Sequence, residues 1–72
     1  MTKAELRELH RAQPFRPFTL HLADGRSFHV PHPEWFWMQP GSGRIAVVAR
    51  RRSFDLVDIL LVTSVEVKSS AA

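Results

Sequence analysis

Residues 15–30, FRPFTLHLADGRSFHV, decide how this 72-residue chain folds. On both sides of Asp24-Gly25, apolar side chains alternate with polar ones, which is the pattern of two half-buried strands. The Asp-Gly pair between them is a strong turn signal. The stretch therefore predicts a β-hairpin.

The register of this hairpin depends on the length of its loop. A two-residue loop at Asp24-Gly25 would make the apolar faces of the two strands disagree. A three-residue loop over residues 23–25 makes them agree, because it pairs Leu20 with Phe28. Gly25 then lies in the left-handed region, where a side chain is penalised. We predict a bulged turn in which Asp24 and Gly25 are the structural residues.

Composition indicates a single small domain that needs further support. A domain of this length buries only about 60% of the surface that its unfolded chain exposes. The chain has no cysteine, so no disulfide stabilises it, and we expect oligomerisation instead. Its net charge of +3 permits phosphate binding without requiring it. The sequence has no signal-like or membrane-length apolar segment, so we expect a cytoplasmic protein that contacts no membrane.

The remainder of the chain predicts one helix and several short strands. Thr2 and Glu5 fit a capping box that begins a helix over about residues 3–12, and Pro14 ends it. Pro31 and Pro33 interrupt the strand ladder after the hairpin. Further strands are predicted at residues 35–38, 44–49, 54–57 and 61–67. We expect a mainly β fold with one N-terminal helix, a small, strongly bent antiparallel β-barrel of about five strands over residues 1–68, and a disordered tail at residues 69–72.

Two resemblances extend this prediction. Residues 12–18 (AQPFRPF), 20–26 (LHLADGR), 32–34 (HPE) and 60–66 (LLVTSVE) resemble a family of small bacterial proteins with no assigned function. The order of a helix, a strand turning at Asp-Gly and bent strands ending in Val-Thr-Ser-Val is similar to the Sm-like, Hfq-type RNA-binding proteins. Those proteins form rings by pairing their last two strands between subunits, and they bind RNA at the pore. The resemblance implies an Sm-like or SH3-like barrel whose assembling edges are residues 53–57 and 61–67.

One departure from the Hfq-type pattern affects the expected function. These proteins carry a Tyr-Lys-His run just before the last strand, where this chain has Asp58-Ile59-Leu60. An acidic residue and two aliphatic residues cannot replace a stacking ring, a cation and an imidazole. The resemblance therefore implies the fold more directly than it implies RNA binding.

Two groups of residues are candidates for nucleic-acid contacts. Arg50, Arg51 and Arg52, with Arg44 on the same hairpin, form the densest positive patch, which could contact phosphates or could be a solvated turn. Trp35 and Trp37 are predicted to point to one face of a strand, with both faces covered. They could stack on bases if exposed, or form core or subunit interface. A second basic stripe on the helix, Lys3, Arg7 and Arg11, is predicted to be a solvated face.

Metal binding and catalysis have little support in the sequence. His21 and His29 are predicted to lie on a diagonal of the outer hairpin face, where they could share a cation or simply be surface histidines. The chain shows no nucleophile with a recognisable partner and no phosphate-cradling glycine loop. We expect no enzyme, no cofactor and no small-molecule ligand.

These observations lead to one expected function and two alternatives. We expect a non-enzymatic homo-oligomer, assembled through edge strands, that acts in protein interaction or as a scaffold. The first alternative is binding of RNA or other single-stranded nucleic acid by an Sm-like ring, and the second is histidine-based metal binding.

Overall fold

The computed structural model describes residues 2–68 of the chain. In this range one helix, α1 (Lys3–Arg11), precedes six strands. The strands are β1 (Phe18–Leu22), β2 (Ser27–Val30), β3 (Phe36–Met38), β4 (Ile45–Ala49), β5 (Phe54–Asp58) and β6 (Val62–Val67). Two 3-10 turns, Pro33–Trp35 and Ile59–Leu61, lie directly before β3 and β6. The disordered tail predicted at residues 69–72 lies outside the described residues.

The strands form two antiparallel sheets of three strands each. One sheet has the order β2-β1-β6 and the other has the order β3-β4-β5. The mainly β fold with one N-terminal helix is confirmed, but the predicted closed barrel is not found within residues 2–68. The separation has a local cause, because Pro31 and Pro33 have no N–H to donate to a ladder and the chain makes a 3-10 turn before β3 begins.

The hairpin has the predicted register. Leu20 lies opposite Phe28 in the β1–β2 pair. Gly25 has φ of 90°, and its N–H donates to the carbonyl of Leu22 at 3.0 Å. The Asp24 carboxylate accepts the N–H of Arg26 at 3.0 Å, which closes the three-residue loop from its other side. The bulged turn with Asp24 and Gly25 as its structural residues is therefore confirmed.

Helix α1 begins with the predicted capping box. The Thr2 hydroxyl accepts the N–H of Glu5 at 3.2 Å, and the Glu5 carboxylate accepts the N–H of Thr2 at 2.8 Å. The helix ends at Arg11, one residue before the predicted end. Leu6, on its inner side, is fully buried and anchors the helix to the sheets.

Both sheets contribute to one core. In each strand pair, residues that lie opposite one another share a face, so the alternating apolar positions of the two sheets point inward together. The buried members are Leu6, Phe18, Leu20, Leu22, Phe28, Val30, Phe36, Ala46, Val48, Val57, Ile59 and Val62. No helix among the described residues is long and apolar enough to cross a membrane.

The tryptophans are arranged differently from the prediction. Trp35 ends the Pro33–Trp35 turn, so it does not share a strand face with Trp37. Phe36 is buried in the core, whereas Trp37 is 53% exposed on the opposite side of β3. The expectation that both faces of this segment are covered is therefore wrong. Pro33 accounts for the position of Trp35, because it sets the backbone for a helical turn where the sequence alternation indicates extended chain.

Candidate functional site

Four strands of the described chain, the outer two of each sheet, have one edge without a strand partner. β5 pairs only with β4, and β6 pairs only with β1, so each is the outer strand of its sheet. β2 and β3 are the other two outer strands. β5 and β6 are consecutive along the chain and are joined only by the Ile59–Leu61 turn.

The outward backbone groups of β5 can be assigned from its register. Arg50 donates to the carbonyl of Ser53 at 2.8 Å, and Ile59 donates to the carbonyl of Arg44 at 2.7 Å. Hydrogen-bonded pairs alternate with non-bonded pairs in an antiparallel ladder. The pairs at odd positions between these two bonds, such as Leu56 opposite Val47, are therefore non-bonded pairs. In each of them the N–H and C=O of the β5 residue point away from β4. On β5 these residues are Phe54, Leu56 and Asp58.

β6 presents the same kind of edge. Lys68 donates to the carbonyl of Pro17 at 2.9 Å, which fixes the phase of the β1–β6 ladder. Val65 opposite Leu20, and Val67 opposite Phe18, then fall at non-bonded pairs. Their N–H and C=O groups point away from β1, toward the open edge.

Large apolar side chains are exposed around these edges. Phe54 and Leu56 on β5 are 65% and 63% exposed, and Leu60 in the following turn is 68% exposed. Leu61 and Val67 are also exposed, as are Ile45 and Trp37 on the outer face of the β3-β4-β5 sheet. Single exposed apolar residues are ordinary, but a group of them beside an unpaired strand edge is typical of an interaction surface.

The arginines predicted to contact phosphates are partly engaged within the chain. The Arg44 guanidinium donates to the Asp58 carboxylate, with its closest nitrogen at 2.5 Å. Arg50 lies 2.7 Å from the Asp55 carboxylate and 5.9 Å from the centre of the Phe28 ring. Arg51 and Arg52 are exposed at the tip of the β4–β5 turn.

The β4–β5 turn, which carries Arg51 and Arg52, lies apart from Trp37 on the β3-β4-β5 sheet. Trp37 is opposite Val47. The β4–β5 turn begins at Arg50, directly after β4 and three residues beyond Val47, or about 10 Å away at the usual rise per residue. Trp35, in the 3-10 turn, packs its ring against His32 at 5.8 Å between centroids. A nucleic-acid role for the predicted arginine and tryptophan residues stays a prediction.

Trp37 instead lines a groove with the helix cations. The groove has a volume of about 460 Å³. Arg7, His10 and Arg11 of α1 form one wall, and Trp37, Met38, Pro40 and Gly41 form the other. We call it the helix groove. It brings together two features that the sequence interpretation treated separately, the basic helix stripe and the aromatic segment.

Lys3 ties the two walls of the helix groove together. Its ammonium donates to the carbonyls of Gln39, Gly41 and Gly43 in the β3–β4 loop, at 2.8 Å for Gly41 and 2.5 Å for Gly43. A lysine interpreted from the sequence as part of a solvated face is thus a tether between α1 and the loop.

The candidate metal residues are placed as the hairpin register requires. His21 is on β1 opposite Ser27, and His29 is on β2 opposite Thr19, two pairs away along the ladder. His21 Nε2 lies 3.2 Å from a Glu66 carboxylate oxygen, and His29 Nδ1 lies 3.1 Å from the Thr19 hydroxyl. Among residues 2–68, no three side chains of the metal-binding types come together.

Hydrogen bonds, one of them within an ion pair, shift the pKa of several surface groups. The Arg44 guanidinium and the N–H of Leu60 donate to Asp58, which lowers the pKa of that carboxyl, while Asp58 raises the pKa of Arg44. The N–H of Arg26 lowers the pKa of Asp24, and the N–H of Thr2 lowers the pKa of Glu5. The three carboxylates are held in turns or a cap, so these shifts describe local structure rather than a reactive site.

Comparison with family models, with curated proteins and with solved structures finds no match to this chain.

Sequence reasoning assigned no ligand-facing role to Arg7, His10 and Arg11. The signal that could have singled them out is their spacing, since positions i, i+3 and i+4 lie on one helix face. Their opposite wall could not be found in this way, because Trp37 is 26 residues beyond Arg11 in the chain. The edges of β5 and β6, by contrast, fall close to the segments 53–57 and 61–67 named from the Sm-like resemblance.

Proposed function

We propose that this chain is an assembly module: copies join through the open edges of β5 and β6, and the resulting homo-oligomer acts in protein interaction or as a scaffold. The observation that carries the proposal is the pair of consecutive edge strands, each with outward N–H and C=O groups and exposed apolar neighbours. An unpaired edge is a template for pairing with another chain.

The two edges are suited to each other. β5 has five residues and β6 has six, and each presents an alternating row of donors and acceptors. Pairing β5 of one copy with β6 of the next is a head-to-tail contact, which generates a ring when the rotation closes and a filament when it does not. The arrangement agrees with the Sm-like type of ring, and it supports an Sm-like small barrel as the finer description of the fold.

Assembly also gives a reason for the exposed apolar residues. Phe54 and Leu56 are held on the outer face of β5, where they cannot turn inward without breaking the register. Covering them between copies would remove apolar surface from water at about 25 cal/mol per Å². A domain of this size, with no disulfide, gains most from such burial.

The test is the mass of the full chain by light scattering after size exclusion, with two edge variants. Leu56→Pro removes an outward N–H on β5, and Val67→Pro removes one on β6; by the register, neither N–H bonds within the chain. Leu56→Thr is the matched control, since it shortens the same side chain and keeps the N–H. We expect a multi-subunit mass for the wild-type chain and for Leu56→Thr, and a monomer for each proline variant.

Mixing the proline variants identifies which edges meet. If β5 pairs with β6, the mixture forms a two-subunit complex, because Leu56→Pro keeps an intact β6 and Val67→Pro keeps an intact β5. Self-association of Val67→Pro alone would indicate β5 pairing with β5. A monomeric wild-type chain, or proline variants that assemble normally, would contradict the proposal. Far-ultraviolet circular dichroism checks that each variant is folded.

A further inference from the structure

We infer that the helix groove binds a nucleoside phosphate, with the indole of Trp37 against the base and the guanidinium groups of Arg7 and Arg11 against the phosphate. No residue of β5 or β6, the edge strands on which the proposed assembly depends, lines this site. It also differs from the arginine turn that the sequence favoured for phosphate contacts.

The groove is built before any ligand arrives. Lys3 holds the β3–β4 loop to the start of α1 through three loop carbonyls. His10 fixes the other end of the helix wall, because its Nε2 donates to the carbonyl of Pro33 at 2.7 Å and its ring packs edge-on against Phe36. With both walls tied, a ligand orders little of the chain when it binds, which favours affinity.

The positive charge in the groove is available to a ligand. Arg7 and Arg11 are four residues apart on α1 and so lie on the same face, one turn apart. None of the four ion pairs within residues 2–68 uses either of them, whereas Arg44 and Arg50 each have an aspartate partner. No carboxylate lines the groove. Two guanidinium groups without a competing anion are suited to a phosphate, which each can bind through a planar pair of donors.

The groove wall that contains Trp37 favours a ligand that has a planar ring as well as a negative charge. Trp37 is a large apolar side chain more than half exposed, and Met38 and Pro40 extend the apolar wall beside it. Bases stack on such side chains with little preference for sequence. A bare anion such as inorganic phosphate would use the arginines and leave the indole uncovered. A ligand with a planar ring attached to a phosphate uses both walls.

The size and position of the groove agree with this ligand. Its volume of about 460 Å³ lies within the range of small-molecule sites, about 300 to 1,000 Å³. Trp37 is on β3, two strands away from the open edge of β5, or about 10 Å at the usual strand spacing. A strand added at that edge therefore does not contact Trp37 through its backbone.

The test is fluorescence anisotropy of a labelled hexauridylate with the full chain and matched variants. Trp37→Ala removes the stacking surface, and binding is expected to weaken about 10-fold or more, while Trp37→Phe keeps a ring and is expected to stay within about threefold of the wild type. Replacing both Arg7 and Arg11 by Gln is expected to weaken binding about 10-fold and to reduce its salt dependence. Replacing both Arg51 and Arg52 by Gln removes the same charge from the β4–β5 turn and is the control, with an expected loss under about threefold.

Two further probes separate the sources of the ligand chemistry. A hexamer of abasic deoxyribose phosphate carries the same charge without bases, and it is expected to bind the wild-type chain about 10-fold more weakly than hexauridylate. Competition with uridine and adenosine monophosphates distinguishes a free nucleotide, which displaces the probe, from a unit of a single strand, which does not. Either result supports the site.

Three results would overturn the proposal. One is no binding of hexauridylate and of both monophosphates to the wild-type chain. Another is unchanged binding by Trp37→Ala, which would leave only a charge effect. The third is an equal loss for the helix pair and the turn pair of arginine substitutions. Quenching of Trp37 fluorescence in a Trp35→Phe background gives an independent readout that needs no substitution in the groove.

Discussion

Substitution of Gly25 by Val tests the turn on which the hairpin depends. Gly25 has φ of 90°, and apart from Gly25 itself and its two chain neighbours no residue has an atom within 4 Å of the position that a Cβ would occupy. The cost of a side chain there is therefore backbone strain rather than a clash, and such strain is worth about 1 to 3 kcal/mol. At about 2.1 cal/mol/K of unfolding entropy per residue, a 72-residue domain has about 0.15 kcal/mol/K. The expected fall in melting temperature is thus about 7 to 20 °C.

The assay is thermal unfolding followed by circular dichroism at neutral pH. Ala23→Val places the same β-branched side chain in the same loop at a position without positive φ, and it serves as the control. Gly25→Asn should lose less than Gly25→Val, because asparagine tolerates the left-handed region better than a β-branched residue does. An unchanged melting temperature for Gly25→Val, or an equal loss for Ala23→Val, would refute the reasoning.

Three other predictions concern the cap, the core and the surface charges. Thr2→Ala removes the N-cap of α1 and should destabilise the chain by about 1 kcal/mol in urea unfolding; no change would mean that the helix end does not limit stability. Leu6→Ala empties a fully buried site and should cost about 2 to 5 kcal/mol, while Leu9→Ala at a half-buried site on the same helix should cost less. Asp58 has a lowered pKa in the folded chain, so its contribution is present above the ordinary value of 3.8 and is lost as the pH falls through the folded-state pKa. The melting temperature should therefore fall more steeply below about pH 4 in the wild-type chain than in Asp58→Asn, and parallel curves would exclude a role for the Arg44–Asp58 pair.

The hairpin and the helix start could be predicted because short-range chemistry determines them. Gly25 can adopt positive φ, and the faces of the flanking strands agree in only one register. The capping box joins Thr2 and Glu5, which are three residues apart. In both cases the interacting residues lie close together in the sequence, so their pattern alone contains the answer.

The arrangement after the hairpin could not be predicted so well. The alternation of residues 35–38 indicates a strand, but Pro33 starts a 3-10 turn that takes Trp35 out of it and separates the two sheets. Closure of a barrel depends on pairing between strands far apart in the chain, which periodicity does not record. The helix groove was missed for the same reason, since Lys3 meets its three carbonyl partners 36 to 40 residues away.

Exchange of the edge amides gives the most direct test of the central claim, that copies join through β5 and β6. By the strand register, the N–H groups of Leu56 and Val65 point away from their own sheets, so an isolated chain leaves them open to water. We predict that hydrogen–deuterium exchange, followed by nuclear magnetic resonance, finds both amides protected at high protein concentration and exchanging faster on dilution. Rapid exchange of both amides at every concentration would contradict the account, even if the chain proved to be oligomeric.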